Sequence, residues 1–284
     1  MRLILVRHGE TVDNVAGLYA GVRNSPLTAH GVLQARRLAE HLASRSGIGP
    51  IRHIFSSDLQ RAADTAQAII DAQQPRDLLM TRERLQLVKV PELRERDFQS
   101  AEGKRFGTAR ADAETHEEMR VRADRFVRHH LAPLLSATTS SQDEGSIVIV
   151  SHGILLNSLF RVLLMRYAPS ELSRMAKAGP ARSEYLVSWS NTGYLEAIVT
   201  PGPLATAVPA GRVAVTGTSS AAAHPANVNM KLPRVTLVVL RVNVTSHLEG
   251  LKKTRGGIGS AQFDTKQRTM DSFLQPAAKK PRFE

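Results

Sequence analysis

The sequence predicts an α/β fold, a three-layer α/β/α sandwich with a mixed, mainly parallel sheet, on three observations. Leu3-Ile4-Leu5-Val6 and Ile147-Val148-Ile149-Val150 are uninterrupted aliphatic runs, the pattern of strands covered on both faces. Each run leads into a histidine followed by glycine, at His8-Gly9 and His152-Gly153. Segments with the apolar spacing of helices lie between and beyond them, the alternation that covers a parallel sheet on both sides. Ligands in such sheets bind beyond the carboxyl ends of the strands, where Arg7, His8 and His152 would stand.

Taken in order, the first strand ends in Arg7-His8-Gly9-Glu10-Thr11, with glycine suited to a sharp turn and to the close approach of an anion. Asn24-Ser25-Pro26 marks a turn, and Thr28 is placed to cap a helix whose apolar face carries Val32, Ala35, Leu38, Ala39 and Leu42. A short strand over 51–55 runs into Ser56-Ser57-Asp58, and the helix after it buries Leu59, Ala62, Ala63, Ala66, Ile69 and Ile70. Arg61 sits in its first turn, at the same rim as Arg7 and His8. A third strand over 85–90 leads to the charged loop Pro91-Glu92-Leu93-Arg94-Glu95-Arg96-Asp97-Phe98, after which 99–114 are polar and irregular. One long amphipathic helix is expected over 115–135, with Met119, Ala123, Phe126, Val127 and Leu134 at helical spacing. After the strand at 147–150, a helix buries Leu155, Leu159, Val162 and Leu163. Strands are expected at 184–189 and 194–199, separated by Ser190-Asn191-Thr192-Gly193 with the glycine free to take positive φ. Residues 200–233, rich in Pro, Ala, Gly, Ser and Thr without periodicity, read as a flexible insertion. The β-branched run 235–244 reads as one more strand. The domain thus spans 1–250, followed by a basic, disordered tail over 251–284.

Composition narrows the function classes. Cysteine is absent, which excludes disulfides, thiolate metal sites and a cysteine nucleophile. Low aromatic content and a single tryptophan argue against wide base-stacking platforms. The first apolar run is too short for a signal peptide, and no run approaches the length of a membrane span, so a cytoplasmic protein is expected. The net charge of +12 is concentrated late: residues 201–284 hold 12 Lys and Arg against 4 Asp and Glu. A modestly basic body suits an anionic substrate, and a basic tail suits solubility, nuclear import or nucleic-acid contact, of which direct nucleic-acid binding is the weakest reading.

Four segments then come in one order: Arg7-His8-Gly9-Glu10-Thr11 with Asn14, Ser56-Ser57-Asp58-Leu59-Gln60-Arg61-Ala62, Leu93-Arg94-Glu95-Arg96-Asp97-Phe98, and Ser151-His152-Gly153. Together they resemble the histidine phosphatase superfamily, the phosphoglycerate mutase-like group. The resemblance implies a metal-independent phosphatase without cofactor that acts on a small phosphorylated substrate. His8 would be the nucleophile, attacking phosphorus to give a phosphohistidine. Arg7, Arg61 and His152 would bind the phosphoryl oxygens, with Gly153 adding a backbone N–H at a helix start. Glu95 would serve as general acid and base, with Glu92 as its competitor in the same loop. Asn14, Gly21 and Arg23 would line the substrate side, and Arg96 would reach the rim. His41, His53, His116, His129, His130, His224 and His247 read as solvated or structural. One departure is Gln99, where relatives of this pattern carry glycine. The irregular segment after the acid is shorter than that of the mutases, which favours hydrolysis over mutase-type transfer.

The tail carries a second theme. Gln267, Met270, Phe273 and Leu274 resemble the sliding-clamp-binding peptide, although leucine replaces its second aromatic. Lys279-Lys280-Pro281-Arg282 resembles a nuclear-import signal. The competing class is an interaction protein of low activity that recognises phosphate and carries this tail.

Overall fold

A computed structural model describes residues 1–73, 85–137, 145–168, 187–201, 235–253 and 258–263. Its six-stranded sheet comprises β1 (Arg2–Arg7), β2 (Ile51–Ser56), β3 (Leu87–Lys89), β4 (Ser146–Ser151), β5 (Tyr194–Pro201) and β6 (Val235–Val244), in the spatial order β3-β2-β4-β1-β5-β6. β1 pairs with β4, β4 with β2 and β2 with β3 in parallel; β5 and β6 add an antiparallel edge. The mixed, mainly parallel sandwich expected from the aliphatic runs is what forms.

Alternation along the strands feeds two cores. Leu3, Leu5, Ile147 and Ile149 pack against α4 (His116–Phe126), α5 (Ala132–Ala137) and α6 (Gly153–Tyr167) on one face. Ile4, Val6, Val148 and Val150 pack against α2 (Ala29–Ser44) and α3 (Gln60–Gln73) on the other. Neither strand can shift by one residue without exchanging the two sets, so burial on both faces fixes the register. That register sets His8 beside Ser151, whose carbonyl accepts the His8 N–H at 3.0 Å.

Thr28 caps α2 as expected, accepting the N–H of Gly31 at 2.9 Å. A short helix, α1 (Val12–Ala16), opens with a capping box between Thr11 and Asn14. Five local expectations need correction. Gly9 is required by a neighbouring backbone, since a Cβ there would stand 2.6 Å from the carbonyl oxygen of Gly31. In the turn before β5 it is Thr192 that takes positive φ, at 55°; Gly193 is needed because a Cβ would meet Asn243 Oδ1 at 2.2 Å. The single helix over 115–135 is divided, with a π-helical turn at Val127–Leu131. Pro133 explains the break, having no N–H for the carbonyl four residues earlier. Residues 187–189 are irregular instead of forming a strand: the Val187 backbone bonds Asn157 through both its N–H and its carbonyl, and the Trp189 carbonyl bonds Arg7. Finally, part of the expected tail is packed. Lys253 pairs with Glu10 at 2.9 Å, and the N–H of Phe263 reaches the Leu27 carbonyl at 3.1 Å.

The expected insertion from 202 onward, Gln267, Met270, Phe273, Leu274 and the basic cluster at 279–282 lie outside the described residues. Among the described residues no helix is long and apolar enough to cross a membrane.

Candidate active site

A cleft of about 420 Å³ opens at the carboxyl ends of β1 and β4, lined in part by Arg7, His8, Asn14, Gly21, Arg61, Glu95 and Gly153. His8 leaves the end of β1 with its side chain buried. Its Nδ1 lies 2.7 Å from the Gly9 carbonyl oxygen. A carbonyl only accepts, so Nδ1 carries the proton and Nε2 keeps a free lone pair. Burial, first of all, and then the charges of Arg61 and Arg7 hold its pKa well below the ordinary imidazole value. His8 is therefore neutral at neutral pH.

His152 stands at the end of β4, its ring centroid 5.0 Å from that of His8. It is fully buried, and burial followed by Arg61 pushes its pKa well down. Neither ring nitrogen of His152 has a hydrogen-bond partner among the described residues, and the same is true of Nε in both Arg7 and Arg61. Buried polar groups left without partners cost stability, so a cluster of them around one open lone pair indicates a place built for a ligand.

The arginines are otherwise anchored. Arg7 Nη1 donates to the Trp189 carbonyl at 2.6 Å. Arg61, only 1% exposed, donates from Nη1 to Arg23 O and from Nη2 to Gly21 O, each at 2.7 Å. Burial lowers the Arg61 pKa to about 10 against the opposing pull of Glu95 and Asp13, so it remains a cation at neutral pH. Thr65, one turn further along α3, accepts the Gly9 N–H at 3.1 Å and ties that helix to the histidine loop.

Glu95 comes from the loop after β3. Its Oε1 accepts N–H groups from Leu155 at 3.0 Å and Arg96 at 2.9 Å, and its Oε2 accepts that of Ile154 at 3.2 Å. The carboxylate thus occupies the amino end of α6, whose own cap residue His152 makes no side-chain capping bond. Arg122 holds the loop from behind. It donates to the carbonyls of Glu92, Arg94 and Glu95 at 2.6–3.0 Å and forks onto Glu114 at 2.5 and 2.8 Å.

Of the residues singled out from sequence, Arg7, His8, Arg61 and Glu95 line one cleft together with Asn14, Gly21 and Gly153, and His152 is buried behind that lining, against the His8 ring. Glu92 does not line it. Arg23 contributes its backbone carbonyl to Arg61, while its guanidinium lies 3.8 Å from Asp13 and outside the cleft lining. Arg96 turns to the Glu114 carbonyl at 2.6 Å. Gln99 does take positive φ, at 48°, held by Asp97 through its N–H and its amide, each at 2.8 Å. Sequence reasoning missed Thr65, Arg122 and Asn191, whose amide donates to the His8 carbonyl at 3.2 Å and to Asn14 at 3.1 Å. A usable signal existed only for Thr65, a hydroxyl on the buried face of α3 four residues after Arg61.

An α/β/α sandwich with a buried histidine pair ringed by arginines beyond its parallel strands defines a class of enzymes that hold a phosphoryl group against a histidine. The chain belongs to the histidine phosphatase superfamily, branch 1, whose family model matches residues 3–195. It is 30% identical over 209 residues to a probable phosphoglycerate mutase of Proteus mirabilis, a match covering 69% of this chain and 90% of that one. It is 28% identical over 284 residues to a probable phosphatase of Schizosaccharomyces pombe, covering 95% and 78%. In fold it is similar to a mycobacterial glucosyl-3-phosphoglycerate phosphatase in complex with VO3, with a TM-score of 0.57 at 19% identity, covering 85% of this chain and 98% of that one.

Proposed function

We propose that the protein is a metal-independent phosphatase that hydrolyses a phosphate monoester through a phosphohistidine on His8. The observation that carries this reading is the neutral His8 with its free Nε2, set close to the charges of Arg61 and Arg7 and to the His152 ring. The buried Nε of each arginine and both ring nitrogens of His152 have no partner among the described residues. Nε2 attacks phosphorus and the bond to the ester oxygen breaks; the leaving oxygen takes a proton from the Glu95 carboxyl. Water then gives a proton to Glu95 and its oxygen attacks phosphorus; the phosphorus–nitrogen bond breaks, which restores His8 and releases inorganic phosphate. The two arginines and His152 meet the charge that develops on the non-bridging oxygens, the task a metal ion performs in other phosphatases. Oε2 of Glu95 accepts a single N–H, that of Ile154, and so is the oxygen with capacity left to carry the proton.

Mutase-type transfer would use the same first step and return the phosphoryl group to an acceptor alcohol instead of water. The similarity to the mutase of Proteus mirabilis favours this second reading. The test is hydrolysis of an aryl phosphate and of a panel of metabolite phosphates with a chelator present, comparing the natural protein with His8→Ala. Chelator-resistant release of inorganic phosphate that vanishes in the variant is expected. Release that persists in His8→Ala, or that a chelator abolishes, overturns the reading.

A further inference from the structure

Besides the phosphate-binding groups, the cleft has an aromatic lining, and this contrast describes the alcohol that the substrate carries. Its walls include Tyr19, Phe98, Phe106 and Trp189. The Tyr19 ring packs on the buried Phe98 at 4.5 Å and meets Phe106 edge-on at 5.1 Å between centroids, so Phe98 backs an aromatic wall faced by Tyr19 and Phe106. Phe106 is 57% exposed, an unusual position for a phenylalanine that has no further partner to cover it among the described residues. Over this surface lies a cation. The Arg110 guanidinium stands 5.3 Å from the Tyr19 ring centroid and 5.6 Å from that of Phe98.

Arg110 differs from three other arginines near the site, each of which is matched by a carboxylate. Arg94 is matched by Asp58 at 2.5 Å, Arg122 by Glu114 and Arg23 by Asp13. Arg110 lines the cleft with two rings beneath it and no carboxylate among the described residues. The indole N–H of the buried Trp189, another lining residue, has no acceptor among the described residues. An unmatched cation and an unmatched donor in an aromatic-walled space call for a ligand that is apolar in its body and anionic at its end.

Resting on the phosphatase reading above, we infer that the substrate is a phosphate monoester whose alcohol presents a flat apolar ring and a second negative charge. The ring packs against the wall faced by Tyr19 and Phe106, and the second anion pairs with Arg110. The phosphoryl group stays at the histidine pole. Neither feature takes part in bond making, so both act by holding the ester in register with His8.

Four esters separate the two features: 4-carboxyphenyl phosphate has both, phenyl phosphate only the ring, 3-phosphoglycerate only the second charge, and glycerol 2-phosphate neither. With the natural protein, kcat/KM is expected to be highest for 4-carboxyphenyl phosphate. In Arg110→Gln the ratio of 4-carboxyphenyl to phenyl phosphate should fall by about tenfold, the loss of one charge-assisted contact. That comparison of ratios cancels the intrinsic reactivity of the two esters, and Arg110→Lys should restore part of it. In Phe106→Ala the ratio of phenyl phosphate to glycerol 2-phosphate should fall. If all four esters turn over and neither variant changes its ratio, the substrate class is wrong while the phosphatase stands. If the folded natural protein turns over none of them, the phosphatase reading itself fails.

Discussion

Both histidines of the cleft are neutral at neutral pH, and the reason is physical: an imidazolium would have to be buried beside Arg61 and Arg7. A nucleophile must be unprotonated, and a lowered pKa keeps it so as the pH falls through 6.5, the ordinary imidazole value. The acid limb of kcat/KM against pH should therefore lie below 6.5; a limb at or above it would show that His8 is not the group that has to be free. Gln99 supplies a second residue-scale prediction. Positive φ costs a non-glycine residue roughly 1 kcal/mol, while Gly loses more chain entropy on folding, so in Gln99→Gly the two effects offset to within about 1 kcal/mol. Urea unfolding checks this. Because Glu95 is held by Arg96, Ile154 and Leu155 and not by Gln99, the same variant should keep its turnover within about twofold. Arg7, His8, Arg61 and His152 were readable because each follows an apolar run or opens a helix, and Glu95 because its segment resembles that of the family. Arg110 and Trp189 were not, since nothing local distinguishes them from a surface cation and a core ring.

At the scale of elements, the brace from α4 to the Glu95 loop is the least legible device in the molecule. Arg122 lies on a helix whose first turns also carry Glu117, Glu118 and Arg120, so in sequence it reads as one more solvated charge. Only the fold brings its planar fork under three carbonyls, a geometry that a lysine cannot reproduce. Arg122→Lys should lower kcat roughly 10- to 100-fold, the cost of a slightly misplaced acid, with KM changed far less. Steady-state kinetics on one aryl phosphate decide it; equal losses in kcat and in thermal stability would mean that Arg122 merely supports the fold. The strands and helices themselves were far easier to read, because burial on both faces leaves uninterrupted aliphatic runs. The exceptions share a cause: at 187–189 and around Pro133, side-chain bonds or a missing N–H override the local pattern.

Across the whole molecule, the two cores and the edge pair β5–β6 hold a set of buried histidines that resist protonation. His247, packed near His41 and Tyr194 and bonded to Thr192 at 3.0 Å, is pushed down by burial to about 4 from 6.5. Between those values the unfolded chain binds a proton at this site and the native chain does not, so stability falls as pH falls through the window. His8 and His152, also lowered, act in the same direction. A loss of up to about 3 kcal/mol from His247 is expected by pH 4, and His247→Gln should flatten that part of the profile. Thermal melts across this range test the slope, and a profile that stays as steep in the variant would remove His247 from the account. Thr192 also donates its backbone N–H to the His8 carbonyl at 3.2 Å, so this histidine supports the turn on which the nucleophile rests.

The central claim is that His8 takes the phosphoryl group. The measurement that reaches it most directly is rapid quenching into alkali of the protein mixed with a 32P-labelled aryl phosphate, followed by mass spectrometry to locate the label. A transient, acid-labile phosphoryl group on His8, absent from His8→Ala and longer-lived in Glu95→Gln, is the predicted result. Steady release of inorganic phosphate with no labelled protein at any time, or with label on another residue, would contradict it.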